Sequence, residues 1–329
     1  MVKLQVFLEI EGQQVLVGHL RGEKSDDACF SYDQVYLRKS DSMPISLHLP
    51  LRQEPFSPQE TKCFFEGLLP EGFTRRSVAG SLHLSEDNYI GLLAGLGREC
   101  IGAVCNLEEG EAPENSGYVR VSKEEIRNLA KEGHSESVHL VMRAHLSLTG
   151  ASGKVGLYYD AQKNTWYLPK GMAPSTHIVK QSHVRLNHIV TNEQLCMQTA
   201  LKLGITVPES FIINTGSGKD EDVLFATKRY DRKMTGVTHE TDGLPVPLRL
   251  HQEDFAQAMG ISGDEKYEKG GTNYLHDMFE LLRMYSSNPI AEQQRLWDMI
   301  IFDYLIGNTD NHVKNFSLLY SEEDRKSVV

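Results

Sequence analysis

The segment Ile306-Gly307-Asn308-Thr309-Asp310-Asn311-His312-Val313-Lys314-Asn315-Phe316-Ser317 constrains this chain more than any other. It crowds an aspartate, a histidine, a lysine and several asparagines between an apolar helix candidate, Leu296 to Leu305, and a short apolar run, Phe316 to Tyr320. Polar groups this dense, set between two elements that must bury a face, form a loop held in place for a purpose. Gly307 breaks the helix and opens that loop.

Four residues separate Asp310 from Asn315. Kinase catalytic loops use the same separation, with the aspartate orienting a substrate hydroxyl and the asparagine holding Mg²⁺. Phosphoryl transfer asks the protein for a positioned nucleophile, metal on the phosphates and cations on the developing charge. Lys314 supplies such a cation, and His312 sits beside it. Taken alone, Asp-x4-Asn also reads as a hydrogen-bonded turn, so the upstream chain has to decide.

With 329 residues the chain has room for two or three domains and a sizeable core. Its 40% hydrophobic and 24% charged content is that of a soluble globular protein. No apolar run reaches membrane-spanning length, and the strand-like start at Met1 to Val6 lacks a signal-peptide core, so a cytoplasmic location without membrane contact is expected. Five scattered cysteines form no C-x-x-C pair or zinc spacing and read as reduced thiols. A net charge of −11 argues against nucleic acid gripped by the whole surface.

Residues 1–107 read as one α+β unit. Leu4 to Ile10 and Val15 to Leu20 flank a hairpin turn. Val35 to Leu37 continues the strand character, and Pro44 to Leu51 suggests an edge strand. Phe73 to Leu82 and Asp87 to Leu96 have helical spacing, the second with Ser85 as N-cap and Gly97 as stop. Residues 108–117, acidic and rich in turn formers, mark the boundary as a linker. Ser122 with Glu125 then forms a capping box.

Residues 146–159 read as strand, glycine-rich turn, strand. Gly150, Gly153 and Gly156 let backbone N–H groups approach a phosphate, and Lys154 follows the turn. The stretch lacks the P-loop spacing, and Thr215 to Lys219 reads as a hairpin tip. His177 to Lys180 is a short strand ending in a lysine that is costly to bury without a partner. Thr191 with Gln194 suggests the capping box of a helix running to Leu203, with Glu193 in its first turn. A strand lysine and a helix glutamate downstream of a glycine turn match the kinase device for holding nucleotide phosphates. Singly these residues read as a surface lysine and a helix cap; together with Asp310 and Asn315, in that order, they favour a kinase. Val223 to Arg232 would then be the hinge beside the adenine, offering groups around Lys228 to Tyr230. Helices are expected over Gln252 to Met259, Asn273 to Tyr285 and Ile290 to Leu305.

These residues resemble the HipA-like serine/threonine kinase toxins of bacterial toxin–antitoxin systems. The carrying motifs are Leu68-Leu69-Pro70-Glu71-Gly72, Gly97-Arg98-Glu99 with Gly102-Ala103-Val104, Leu146 to Ala151, Leu168 to Gly171 leading to Thr176 to Lys180, Asn192-Glu193, Arg229-Tyr230-Asp231-Arg232, Arg249-Leu250 with Gln252-Glu253-Asp254, and Gly307 to Ser317. They keep their order over nearly the whole chain. The resemblance implies an α+β, protein-kinase-like two-lobed core with a small N-terminal subdomain: a first lobe over 118–230 and a partial helical second lobe over 231–329. It implies ATP and Mg²⁺, with Lys180, Glu193, Gly150, Gly153, Lys154, Lys228, Tyr230 and Gln252 on the nucleotide. Asp310, Lys314 and His312 would serve catalysis, and Asn315 the metal. Ser147 aligns with a serine that is autophosphorylated in the family, which silences the kinase. Members phosphorylate an aminoacyl-tRNA synthetase and are neutralised by a helix-turn-helix, HipB-like antitoxin that binds operator DNA, so DNA would be met only through that partner.

The resemblance also sets an expectation of departure. Family members continue past the position of Val329 and carry a second metal-binding aspartate, whereas Asp324 here lies in a charged, turn-like context. The second lobe is therefore expected to be incomplete and the chain truncated and inactive as given. A non-catalytic protein that binds the antitoxin is the alternative, and a small-molecule or lipid kinase a third reading.

Overall fold

The computed structural model describes every residue except 112–115, 133, 146, 149–152, 183–185, 236–238, 321–325 and 329, and only the backbone at 134–135 and 326–328. Gly150 and Asp324 thus lie outside the described residues.

Alternating apolar residues build the first sheet. Strands β1 (Val2–Ile10) and β2 (Gln13–Gly22) form the expected hairpin, turning at Glu11 and Gly12, both with positive φ. β3 (Cys29–Tyr32) and β4 (Val104–Glu108) complete the order β3-β2-β1-β4. Between them lie helices α1 (Gln34–Leu37), α2 (Pro58–Phe65), α3 (Gly72–Ser81) and α4 (Tyr89–Leu96). Three local expectations are corrected here. Val35 to Leu37 is helical, because the Asp33 carboxylate accepts from the Val35 and Tyr36 amides. Pro44 to Leu51 makes one isolated bridge, Ser46 to Leu49, and no strand: it is pinned instead by Tyr32 and Glu253. The N-cap of α4 is Asn88, which accepts from the Gly91 amide, and Ser85 lies outside the helix.

The second sheet has the order β5-β7-β6-β8-β10-β9, from β5 (Gly117–Arg120), β6 (Lys154–Asp160), β7 (Thr165–Lys170), β8 (His177–Gln181), β9 (Ser210–Asn214) and β10 (Val223–Lys228). Helices α5 (Lys123–Glu132) and α6 (His134–Ala144) precede β6, and α7 (Ile189–Lys202) follows β8. The Ser122–Glu125 capping box is present. The Thr191–Gln194 box is not. α7 starts at Ile189, where Val190 packs against Val223 and Phe225, and the Asp220 carboxylate takes the His188 amide. Glu193 consequently sits one turn into α7 rather than in its first turn. One hydrophobic cluster joins the two sheets, from Leu4 and Leu20 through Leu129 and Leu140 to Val179 and Leu224.

The remainder is mostly helical. Short strands β11 (Arg232–Lys233), β12 (Glu240–Thr241), β13 (Leu244–Pro245) and β14 (Leu248–Arg249) lead to β15 (Gln252–Asp254) and α8 (Phe255–Met259). The helix expected from Gln252 begins only at Phe255, because Asp254 and Gln257 form a capping box there. α9 (Tyr274–Tyr285) and α10 (Pro289–Ile306) are capped by Asn273 and Asn288. Gly307, at φ +72°, ends α10, and β16 (Ser317–Tyr320) pairs with β15 and β17 (Lys326–Val328). Leu282, Leu296, Phe316 and Leu318 form a second core. α10 leaves Trp297, Tyr304 and Leu305 exposed. Among the described residues no helix is long and apolar enough to cross a membrane.

Candidate active site

Register brings the first cations together. Lys154 on β6 pairs across the ladder with Lys180 on β8, so both side chains leave the same face. The Lys180 ammonium meets Glu193 of α7 at 2.5 Å. Among the described residues no carboxylate makes an ion pair with Lys154. Burial, and then the neighbouring Lys180, push its amine down to about 7; Lys314 adds to the push, while Glu193 and Glu71 oppose it. Lys154 thus feels both the sheet and the loop after α10.

That loop is held from two sides. Lys314 Nζ contacts Glu71 Oε1, and Lys266 Nζ reaches Glu71 Oε2 at 2.7 Å. Burial raises the Glu71 carboxyl, but the two ammonium groups outweigh it and hold it at about 2. Asp310 is 72% exposed at its side chain. Its Oδ1 accepts from the Tyr267 hydroxyl at 2.7 Å and lies 3.6 Å from His312 Nε2. His312 is buried; desolvation, and then Lys266, lower its basicity. The Asn315 amide donates to the Asp310 carbonyl, so the asparagine closes the loop on the aspartate. Among the described residues no three His, Cys, Asp or Glu side chains converge as a metal cage.

Beside the 228–230 stretch lies a buried charge cluster. Glu99 Oε1 accepts from Arg229 and Arg232 at 3.0 Å each and from the Ser175 amide and hydroxyl at 2.9 Å. Asp231 takes Arg229 through both oxygens, at 2.9 and 2.7 Å, and accepts the Gly102 amide at 2.7 Å. Burial opposes both carboxylates, yet the arginines hold each below its ordinary range. Gly102 has φ +68°, and a Cβ there would stand 2.9 Å from the Gln252 amide, so only glycine fits. Gln252 bridges Asp231 and the Tyr230 hydroxyl. The Lys228 and Arg229 amides are committed to the Glu209 and Thr176 carbonyls, and the Lys228 side chain is exposed.

Ser147 is fully buried. Its hydroxyl donates to the Leu68 carbonyl at 2.6 Å and its amide to the Glu99 carbonyl at 2.8 Å. Gly153, also buried, precedes β6. The structure therefore groups Lys154, Lys180 and Glu193, groups Asp310, His312, Lys314 and Asn315, and sets Tyr230 and Gln252 against the cluster. Sequence reasoning missed Tyr267 and the dual role of Glu71. Glu71 sat inside a turn motif, whereas Tyr267, in a Lys-Tyr-Glu-Lys-Gly-Gly run, carried no signal.

A model of the HipA-like C-terminal domain matches residues 146–328, and one of the HipA N-terminal domain matches residues 8–106. The putative kinase Y4mE of Sinorhizobium fredii is 33% identical over 322 residues, covering 94% of this chain and 73% of that protein. The serine/threonine-protein kinase toxin HipA of Shewanella oneidensis is 28% identical over 310 residues, 90% of this chain and 68% of that one. A solved complex of the Shewanella oneidensis HipA, HipB and operator DNA includes a chain similar in fold, with a TM-score of 0.77 at 24% identity, over 99% of this chain and 74% of that one.

Proposed function

This chain belongs to the HipA-like kinase family, and on that premise we propose that it is an ATP- and Mg²⁺-dependent protein serine/threonine kinase acting as the toxin of a toxin–antitoxin system. The observation that carries the reading is the Lys180–Glu193 pair at 2.5 Å beside Lys154, which has no ion-pair partner among the described residues and feels the charge of Lys314 in the Asp310–Asn315 loop. An amine held near neutrality among other cations fits a polyphosphate, which supplies the counter-charge that the described residues withhold. ATP would bring the phosphoryl group, and Mg²⁺ would offset its charge.

The chain's own groups do the rest. Glu193 fixes the Lys180 ammonium, and Lys154 adds a second cation from the adjacent strand. Asp310, exposed and aimed outward, accepts the hydrogen bond of an acceptor hydroxyl and orients it. Asn315 locks the Asp310 backbone, and its amide oxygen would be left to hold the metal, which would offset phosphate charge. Lys314, fixed by Glu71, offsets the charge that develops on transfer. The buried cluster around Glu99 and Asp231 sets the backbone at Tyr230, on the adenine side. Ser147 is the proposed autophosphorylation site. It reaches the active site only if its stretch leaves the Leu68 carbonyl, which makes its phosphorylation a switch between two arrangements. A HipB-like helix-turn-helix antitoxin is the proposed partner, with DNA met through it, and a translation component such as an aminoacyl-tRNA synthetase is the proposed substrate. The cytoplasm is the expected compartment.

Transfer of labelled phosphate from ATP with Mg²⁺ to bacterial proteins is the test. Asp310→Asn is expected to lower the rate by roughly a thousandfold with nucleotide binding kept. A rate unchanged by that substitution removes Asp310 from the mechanism.

A further inference from the structure

A kinase aspartate works by taking a hydrogen bond from the acceptor hydroxyl, and that bond has to be short. In this chain the bond is already made. The Tyr267 hydroxyl donates to Asp310 Oδ1 at 2.7 Å. The tyrosine ring stands edge-on to His312, with centroids 5.0 Å apart, and is 49% exposed on its outer side. Lys266, its chain neighbour, is tied to the same Glu71 carboxylate that holds Lys314. The Tyr274 hydroxyl fastens the Glu265 carbonyl at 3.0 Å. A polar cleft of about 420 Å³ opens beside the tyrosine, between Glu66, Glu71 and Arg75 on one wall and Asp264, Lys266 and Tyr267 on the other. Beyond Tyr267, Gly270 and Gly271 have open space around them, and Gly271 takes φ +96°.

We infer that Tyr267 is an internal occupant of the acceptor subsite: its hydroxyl holds the place of a substrate serine or threonine at Asp310, and the 261–273 segment swings away to admit a protein segment through the cleft. The inference rests on the kinase reading above. A serine hydroxyl donating to Asp310 Oδ1 competes with the phenol for one position. Release requires the Lys266–Glu71 pair and the Tyr274–Glu265 hydrogen bond to part, while Lys314 keeps its hold on Glu71. The glycines past Tyr267 give the turn that such a movement needs.

Two measurements on the purified protein test this. In the first, tyrosine labelled at Cζ is followed by ¹³C NMR, with Tyr267 assigned from its loss in Tyr267→Phe. Asp310→Ala is expected to move the Tyr267 signal; a signal that stays put overturns the inference whatever the enzyme does. In the second, transfer to dephosphorylated casein is measured. Tyr267→Phe is expected to raise acceptor kcat/KM by roughly fivefold, the scale of one competing hydrogen bond, and to leave the KM for ATP unchanged. An unchanged or lower value, with transfer still dependent on Asp310, overturns the inference and leaves the kinase reading standing. A moved NMR signal with no transfer by any chain overturns the kinase reading, and the acceptor role falls with it.

Discussion

The cluster around Glu99 and the loop around Asp310 both gather charged side chains and do opposite things with water. Arg229, Asp231 and Glu99 are 1–3% exposed, and their charges are met by other charges and by backbone groups. Asp310 is 72% exposed at its side chain and is met by one phenol and, at longer range, one imidazole. Fully desolvated charge is tolerated only when geometry satisfies it, and it then fixes a unique arrangement. Charge kept at the surface stays available to a ligand. The first region sets where the chain runs; the second offers a group to something that arrives.

The largest effect should come from breaking the first region. Arg229→Ala leaves Glu99 and Asp231 short of their main partner in a dry site, and is expected to destabilise the fold by about 3–5 kcal/mol in urea unfolding. A loss below about 1 kcal/mol would show that water enters and that the two regions differ less than their exposure suggests.

Lys154 sharpens the comparison, because it is half-buried yet has no ion-pair partner among the described residues. Its amine falls from the ordinary 10.5 to about 7, so folding disfavours its charged form. That cost is absent above the unfolded value, grows as pH falls toward about 7 and is full below it. Lys154→Met should therefore stabilise the protein by roughly 1–3 kcal/mol at pH 6, with the gain fading at alkaline pH, while ATP affinity drops. A variant that is less stable at pH 6 would place Lys154 with the structural charges.

The smallest effect belongs to Arg283, which pairs with Glu280 at 2.6 Å on the open side of α9. Arg283→Ala should leave the unfolding midpoint unmoved within error. A measurable shift would mean that surface pairing matters here more than its exposure allows.

Those contrasts also explain which parts of the fold are legible in the sequence. Periodic elements with strong caps were legible: the β1–β2 hairpin, the Ser122 box, and α9 and α10 behind Asn273 and Asn288. The pairing of Lys180 with Glu193 was legible because their order along the chain singled both residues out. Elements set by distant contacts were not. Val35 to Leu37 has strand-like residues and is a helix because Asp33 caps it. Pro44 to Leu51 looks extended and is held by Tyr32 and Glu253. Tyr267 meets Asp310 across 43 positions of sequence, a separation that no local pattern encodes.

The Arg249–Glu9 pair at 2.7 Å spans most of the chain. Its consequence concerns the order in which the protein is made. β1 leaves the ribosome with Glu9 destined for a buried ion pair, and its arginine follows 240 residues later. At about 5–20 residues per second that interval is roughly 12–48 s. Glu99 waits in the same way for Arg229 and Arg232. The nascent first sheet therefore spends that time with acidic groups bared at its future interface, and the two halves of the molecule can lock together only after the strands carrying those arginines emerge.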